Sequence, residues 1–135
     1  MTVGLSFASV LARDFVGLAE FYSGLLNLDE VMELRSEHFR GLAVGDTVLG
    51  FSAHTAYDML NLVAPQDGSS GVSSFLTFEM ADDNEVDRVT AAAVAAGATC
   101  VKEPGRTYYG AWQSVLLDPE GNAFRLNHLE LDSHP

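Results

Sequence analysis

Hydrophobic and polar positions alternate over residues 5–11, which predicts a strand. Arg13-Asp14 follows, and then Phe15, Leu18, Ala19, Tyr22 and Leu25-Leu26 recur at helical spacing, with Asp14 placed to cap the first turn. Three strand-like runs come next, at about 29–35, 39–44 and 47–53, the last two joined by a tight turn at Gly45-Asp46. Residues 54–71 break the pattern. They hold Pro65, the run Asp67-Gly68-Ser69-Ser70-Gly71 and one short apolar piece, Met59 to Val63, and they read as a linker that could also cover an opening. Alternation then returns from Val72 to Met80. Asp82-Asp83 start a second helix through the alanine-rich stretch Val89 to Ala96, Gly97 ends it, and three further strands are expected near 98–103, 111–117 and 123–130.

Both halves therefore read βαβββ. A shift of 68 residues places Phe7 on Phe75, Val10 on Phe78, Ala12 on Met80 and Asp14 on Asp82. That period is far longer than those of solenoid repeats, so the pattern points to duplication of a half-domain. One domain over 1–135 is expected, with module one at about 3–53, a linker at about 54–71 and module two at about 72–131.

The end of the chain holds the sharpest local signal. Leu116-Leu117-Asp118-Pro119-Glu120-Gly121-Asn122-Ala123-Phe124-Arg125-Leu126 reads as strand, tight turn, strand. Proline presets the first bend, Gly and Asn tolerate positive φ, and the aspartate can bond the turn's backbone. This hairpin resembles the last hairpin of the vicinal oxygen chelate superfamily of glyoxalases, bleomycin-resistance proteins and extradiol dioxygenases. Arg13-Asp14 with Phe21-Tyr22, the helix end at Gly97-Ala98 and the duplication resemble the same family. The resemblance implies an α+β fold in which two tandem βαβββ modules form a curved eight-stranded cup with the helices outside. It also implies a homodimer.

In that family four inward-facing His, Glu or Gln side chains hold a divalent ion. The corresponding positions here are Phe7, Gly50 (or Asn61 in another register), Phe75 and Arg125. None is an ordinary ligand, and Arg125 repels a cation, so no metal or other cofactor is expected. The Lewis-acid contribution of the family's enzymes would go with it. Glu79 shares parity with Phe75 and Thr77. An inward Arg125 has two readings, an ion pair with Glu79 or a fork for a ligand carboxylate or carbonyl. His38, His54, His128 and His134 have no paired spacing; His128 and Glu130 share a face of the last strand, but of parity opposite to Arg125.

Composition narrows the partners. A net charge of −12, from 19 acidic against 7 basic residues, disfavours nucleic acid and anionic membrane surfaces, and suits a cationic ligand or simple solubility. The single cysteine, Cys100, precludes an internal disulfide and reads as a small strand hydrophobe. Without a leader-like start or an apolar run of roughly 20 residues, cytoplasmic residence is expected.

Arg106-Thr107-Tyr108-Tyr109-Gly110-Ala111-Trp112 concentrates aromatics in a loop that the resemblance places at the cavity mouth. Trp112 and one of Tyr108 or Tyr109 could stack on a planar or cationic ligand; the alternative is that they pack within or between subunits. The residues together point to a metal-free protein that binds a small molecule of cationic or aromatic character, an antibiotic or a metabolite, by sequestration. The candidate contacts are Phe7, Phe75, Glu79, Tyr108, Tyr109, Trp112 and Arg125. The alternative is a lyase, isomerase or dioxygenase of the same superfamily with non-standard residues, in which Glu79 is the first candidate base.

Overall fold

A computed structural model describes residues 3–65, 72 and 74–130. His134 and the run Asp67 to Gly71 lie outside the described residues. The chain divides into two compact units, Met1–Ser69 and Ser70–Pro135, with the division inside the expected linker.

The first unit is built on a three-stranded sheet. Strand β1 (Phe7–Ala12) leads into helix α1 (Phe15–Leu26), and β2 (Phe39–Val44) and β3 (Thr47–Ala53) form a hairpin. The sheet order is β1-β3-β2, with β1 parallel and β2 antiparallel to β3. Asp14 caps α1 as expected, its carboxylate accepting from the Gly17 amide at 3.0 Å. Leu18, Ala19 and Tyr22 are the buried residues of α1. Tyr22 stacks on Phe51 of β3 with ring centroids 5.5 Å apart, and Leu42 and Leu49 are also buried. Each such large side chain contributes on the order of 1.5–3 kcal/mol through burial. A short helix, α2 (Thr55–Met59), occupies the start of the expected linker.

The run at 29–35 does not become a strand. It forms one bridge, Glu30 to Leu42, and a 3₁₀ turn at Met32–Leu34. An ion pair accompanies the turn. Arg35 donates to both carboxylate oxygens of Glu30 at 3.0 and 2.7 Å. Residues five apart on an extended strand are separated by roughly 16 Å, so this contact requires the chain to turn back. The α+β class and the tandem modules stand, with seven strands among the described residues where eight are expected.

The second unit is a four-stranded sheet, β4 (Phe75–Glu79), β5 (Thr99–Arg106), β6 (Trp112–Leu117) and β7 (Ala123–His128), with α3 (Asp83–Ala95) between β4 and β5. Its order is β4-β7-β6-β5, with β4 and β7 parallel. The Asp82 carboxylate caps α3 by accepting from the Glu85 amide at 2.8 Å. At the other end Ala98 N–H bonds Ala93 C=O and Gly97 N–H bonds Val94 C=O, the paired closure that a glycine past a helix end permits. Val86, Val89, Thr90 and Ala93 form the buried stripe of α3. They pack on the sheet face that holds Ser114, Leu116, Phe124 and Leu126, all fully buried. The β6–β7 turn is built as its sequence implies. Asp118 Oδ1 accepts from the Glu120 and Asn122 amides, and Gly121 adopts φ +88°. No described helix is long and apolar enough to cross a membrane.

Candidate functional site

The two units repeat one pairing scheme. Phe7 pairs with Val48, two residues before Gly50, and Phe75 pairs with Ala123, two residues before Arg125. Gly50 is thus the counterpart of Arg125, whereas Asn61 lies beyond α2 in a left-handed conformation, outside any strand. The space at Gly50 is taken. A Cβ built there would meet the Phe39 ring at 2.6 Å and Ser9 Oγ at 2.7 Å. Phe39 in turn lies edge-on to Phe7, with centroids 6.1 Å apart. In the first unit, two of the positions where the family holds a metal are therefore an aromatic ring and a glycine covered by a second ring.

In the second unit those positions are Phe75 and Arg125, on adjacent strands β4 and β7. The Arg125 guanidinium carbon lies 4.7 Å from the centre of the Phe75 ring, and its Nε donates to Thr77 Oγ1 at 2.9 Å. An aromatic ring and a cation offer no lone pair to a metal, so this donor set does not fit a divalent ion. Among the described residues no group of three or more His, Cys, Asp or Glu side chains is arranged for one either.

Strand parity puts Phe75, Thr77 and Glu79 of β4 on the same face as Arg125 and Asn127 of β7 and Gln113 of β6, opposite the α3-packed residues. A line of hydrogen bonds runs across that face. Glu79 Oε2 accepts from the Leu129 backbone N–H at 2.7 Å, and Oε1 accepts from Asn127 Nδ2 at 2.9 Å. Gln113 Nε2 donates to Asn127 Oδ1 at 2.8 Å and to the Tyr109 hydroxyl oxygen at 3.0 Å. Gln113 and Asn127 are buried, and their mutual bond satisfies polar groups that would otherwise be costly there. The Gln113 hydrogen bond, followed by the nearby Arg125 charge, holds the Tyr109 phenol below its usual pKa range.

Of the two readings of Arg125, the ion pair with Glu79 does not form. Glu79 sits opposite Asn127 in the register while Arg125 sits opposite Thr77, and each side chain takes the partner across from it. Glu79 is also exposed in the single chain.

Trp112 belongs to the other face. It pairs with His128, and its Nε1 donates to Asp87 Oδ1 of α3 at 2.7 Å. Arg106 lies over its ring at 4.9 Å and bonds Asp83 at 2.8 Å, and His128 bonds the same Asp83 at 2.9 Å. These two bonds, His128 first and Arg106 second, hold the Asp83 carboxyl below its usual range. Beside this cluster a groove of about 580 Å³ runs along α3, lined by Asp87, Thr90, Ala91, Val94, Cys100 and Trp112 among others. Burial, followed by the charge of Glu103, raises the Cys100 thiol's pKa, which suits an unreactive side chain.

Of the seven expected contacts, Phe75, Glu79, Tyr109 and Arg125 converge on one face of the second sheet. Trp112 is on the opposite face, Tyr108 stands fully exposed at the tip of the β5–β6 turn, and Phe7 lies in the first unit. Gln113 and Asn127 were missed. Asn127 was within reach of parity from Arg125, but Gln113 required the β6–β7 register.

A profile described as the Glyoxalase/Bleomycin resistance protein/Dioxygenase superfamily matches residues 4–126. Among solved structures, a glyoxalase/bleomycin resistance protein/dioxygenase family enzyme from Burkholderia phytofirmans PsJN is 39% identical, with a TM-score of 0.86 over 93% of this chain and 98% of that one. A lactoylglutathione lyase from Agrobacterium tumefaciens is 19% identical, with a TM-score of 0.73 over 98% of each chain. A fosfomycin resistance protein from Mesorhizobium loti is 17% identical, with a TM-score of 0.70 over 97% of this chain and 96% of that one. The last two show the shared fold alone. No curated protein matches. A βα-plus-hairpin unit written twice, with parallel first and last strands in each copy and a profile match over nearly the whole length, makes this chain a member of the glyoxalase/bleomycin resistance protein/dioxygenase superfamily.

Proposed function

We propose that the chain is a metal-free small-molecule-binding protein of this superfamily, which sequesters a partly aromatic compound, an antibiotic or a metabolite, without converting it. The observation that supports this most is the exchange at the ancestral metal positions of the second unit. Arg125 lies on Phe75 beside Tyr109, so an aromatic and hydrogen-bonding surface stands where ligands for an ion are expected. Such a surface stacks on a planar ring and orients a polar group, the combination typical of small-molecule sites. On this reading the protein works in the cytoplasm as a homodimer. Saturation-transfer NMR with a panel of small aromatic compounds tests it. Binders are expected, and Phe75→Ala is expected to abolish their signals. A panel with no Phe75-dependent binder, or metal-dependent turnover of any compound, contradicts it.

An enzymatic reading is favoured by one observation, the 39% identity to a structure titled an enzyme of the family. Its base would be Glu79, which faces the same surface. Glu79→Gln would then abolish turnover while leaving binding largely intact.

A further inference from the structure

We infer that the ligand carries a carboxylate, which the second unit holds between the Arg125 guanidinium and the Tyr109 hydroxyl with its ring against Phe75. This rests on the proposal that this face binds a small molecule, and it names the chemistry of that molecule.

The first support is an unbalanced charge. Arg35, Arg40, Arg88 and Arg106 each lie within ion-pair distance of a carboxylate. Arg125 has no carboxylate partner among the described residues, although the chain has 19 acidic residues to supply one. The acid on the neighbouring strand, Glu79, has both oxygens committed to Asn127 and Leu129. A guanidinium offers five N–H donors and no acceptor; Thr77 takes the one on Nε, and Tyr109 is the other hydrogen-bond partner of the group.

The second support is the direction of the hydrogen-bond line. Its start is fixed, because Leu129 supplies a backbone donor and an ionised Glu79 can only accept. Asn127 must then turn its amide nitrogen toward Glu79, which leaves its oxygen facing Gln113. Gln113 spends one N–H on that oxygen and aims the other at the Tyr109 oxygen. Tyr109 is thereby cast as an acceptor toward the protein. The Arg125 guanidinium and the Thr107 hydroxyl also hydrogen-bond at that oxygen. The lowered pKa of the phenol agrees with donors converging on its oxygen.

Arg125 and Tyr109 thus offer donors to whatever docks beside Phe75. Donors of this kind take an acceptor-only, anionic group, and a carboxylate joined to a planar ring satisfies both the donors and the exposed ring. An organic cation, which the overall acidity of the chain would attract at long range, meets a like charge at Arg125. The bulk charge and the site thus favour opposite ligands, and short-range contacts decide the bound state because exposed charges beyond about 10 Å are screened at ordinary salt.

Matched probes separate the possibilities. Benzoate, 1-naphthoate and indole-3-acetate, with their primary amides and the corresponding amines, are titrated into the full chain by NMR at constant ionic strength. The acids are expected to bind roughly tenfold or more tightly than their amides, as the loss of a charge-assisted contact implies, and the amines more weakly still. Tyr109→Phe is expected to weaken the acids several-fold and leave the amines unchanged. Arg125→Gln is expected to erase the preference for acids over amides, and circular dichroism confirms that each variant is folded. Amines or amides that bind as well as the acids, with signals lost in Phe75→Ala, overturn the carboxylate assignment and leave the binding site standing. No binding by any probe overturns both.

Discussion

Gln113 Nε2 donates to Asn127 Oδ1 at 2.8 Å across the β6–β7 pair, and this bond links the orientation of Glu79 to that of Tyr109. It joins two buried amides on the sheet face that α3 does not cover. The same bond therefore supports the fold and sets which hydrogen-bonding groups the site presents.

Gln113→Leu is expected to destabilise the protein by about 1–3 kcal/mol, because it strands the Asn127 oxygen without a donor. Asn127→Leu should cost a similar amount. Urea denaturation of the double variant should show a loss well below the sum of the two singles, since the second substitution removes an already unpaired group. Additive losses would show that the amides do not depend on each other.

In the first unit, Gly50→Ala is expected to cost about 1–3 kcal/mol, because the new methyl group overpacks against Phe39. The cost should shrink in a Phe39→Ala background, measured as a thermodynamic cycle. An unchanged cost would place the strain elsewhere than at the ring.

Asp83 ties β7 and the end of β5 to α3 through His128 and Arg106. Its carboxyl is held below its ordinary value of 3.8 in the folded state. Such a depressed group stabilises the fold at pH values above 3.8 and loses that contribution as pH falls through the folded value. Asp83→Asn should therefore lower stability at neutral pH, with the gap to the parent closing as the solution is acidified. Parallel stability curves across the acid range would contradict this linkage.

Trp112 is the only tryptophan, so its emission reports on the α3 side of the sheet. Arg106→Ala removes the guanidinium over its ring and should red-shift the emission by opening the indole to water. The same substitution should weaken aromatic ligands only modestly, because Trp112 and Arg125 occupy opposite faces of the sheet. Loss of binding as severe as that from Phe75→Ala would place the ligand on the α3 side.

Periodicity carried most of the fold. The caps at Asp14 and Asp82, the helix end at Gly97 and the Asp118 turn formed as their residue types require. The run at 29–35 misled because Val31, Met32 and Leu34 suit a strand, but Glu30 and Arg35 pair in a way that only a reversed chain permits. Parity placed Phe75, Glu79 and Arg125 on one face. It could not foresee that Glu79 would take Asn127 as its partner, because a side-chain choice between diagonal and directly opposite neighbours depends on register. Trp112 illustrates the other limit. An aromatic-rich loop names residues that are close in sequence, while the pleat sends successive ones to opposite faces. Gln113, one residue on, turned out to be the residue that meets Tyr109.

The proposed loss of the family's metal site rests on Phe7, Gly50, Phe75 and Arg125, and metal content tests it directly. Divalent metal content should be measured by elemental mass spectrometry on untagged protein purified without chelators. Zinc, manganese, iron and nickel far below one equivalent per chain are expected, together with no thermal stabilisation when these ions are added. A stoichiometric divalent ion that survives purification would contradict the loss of the metal site and turn the search toward enzyme substrates.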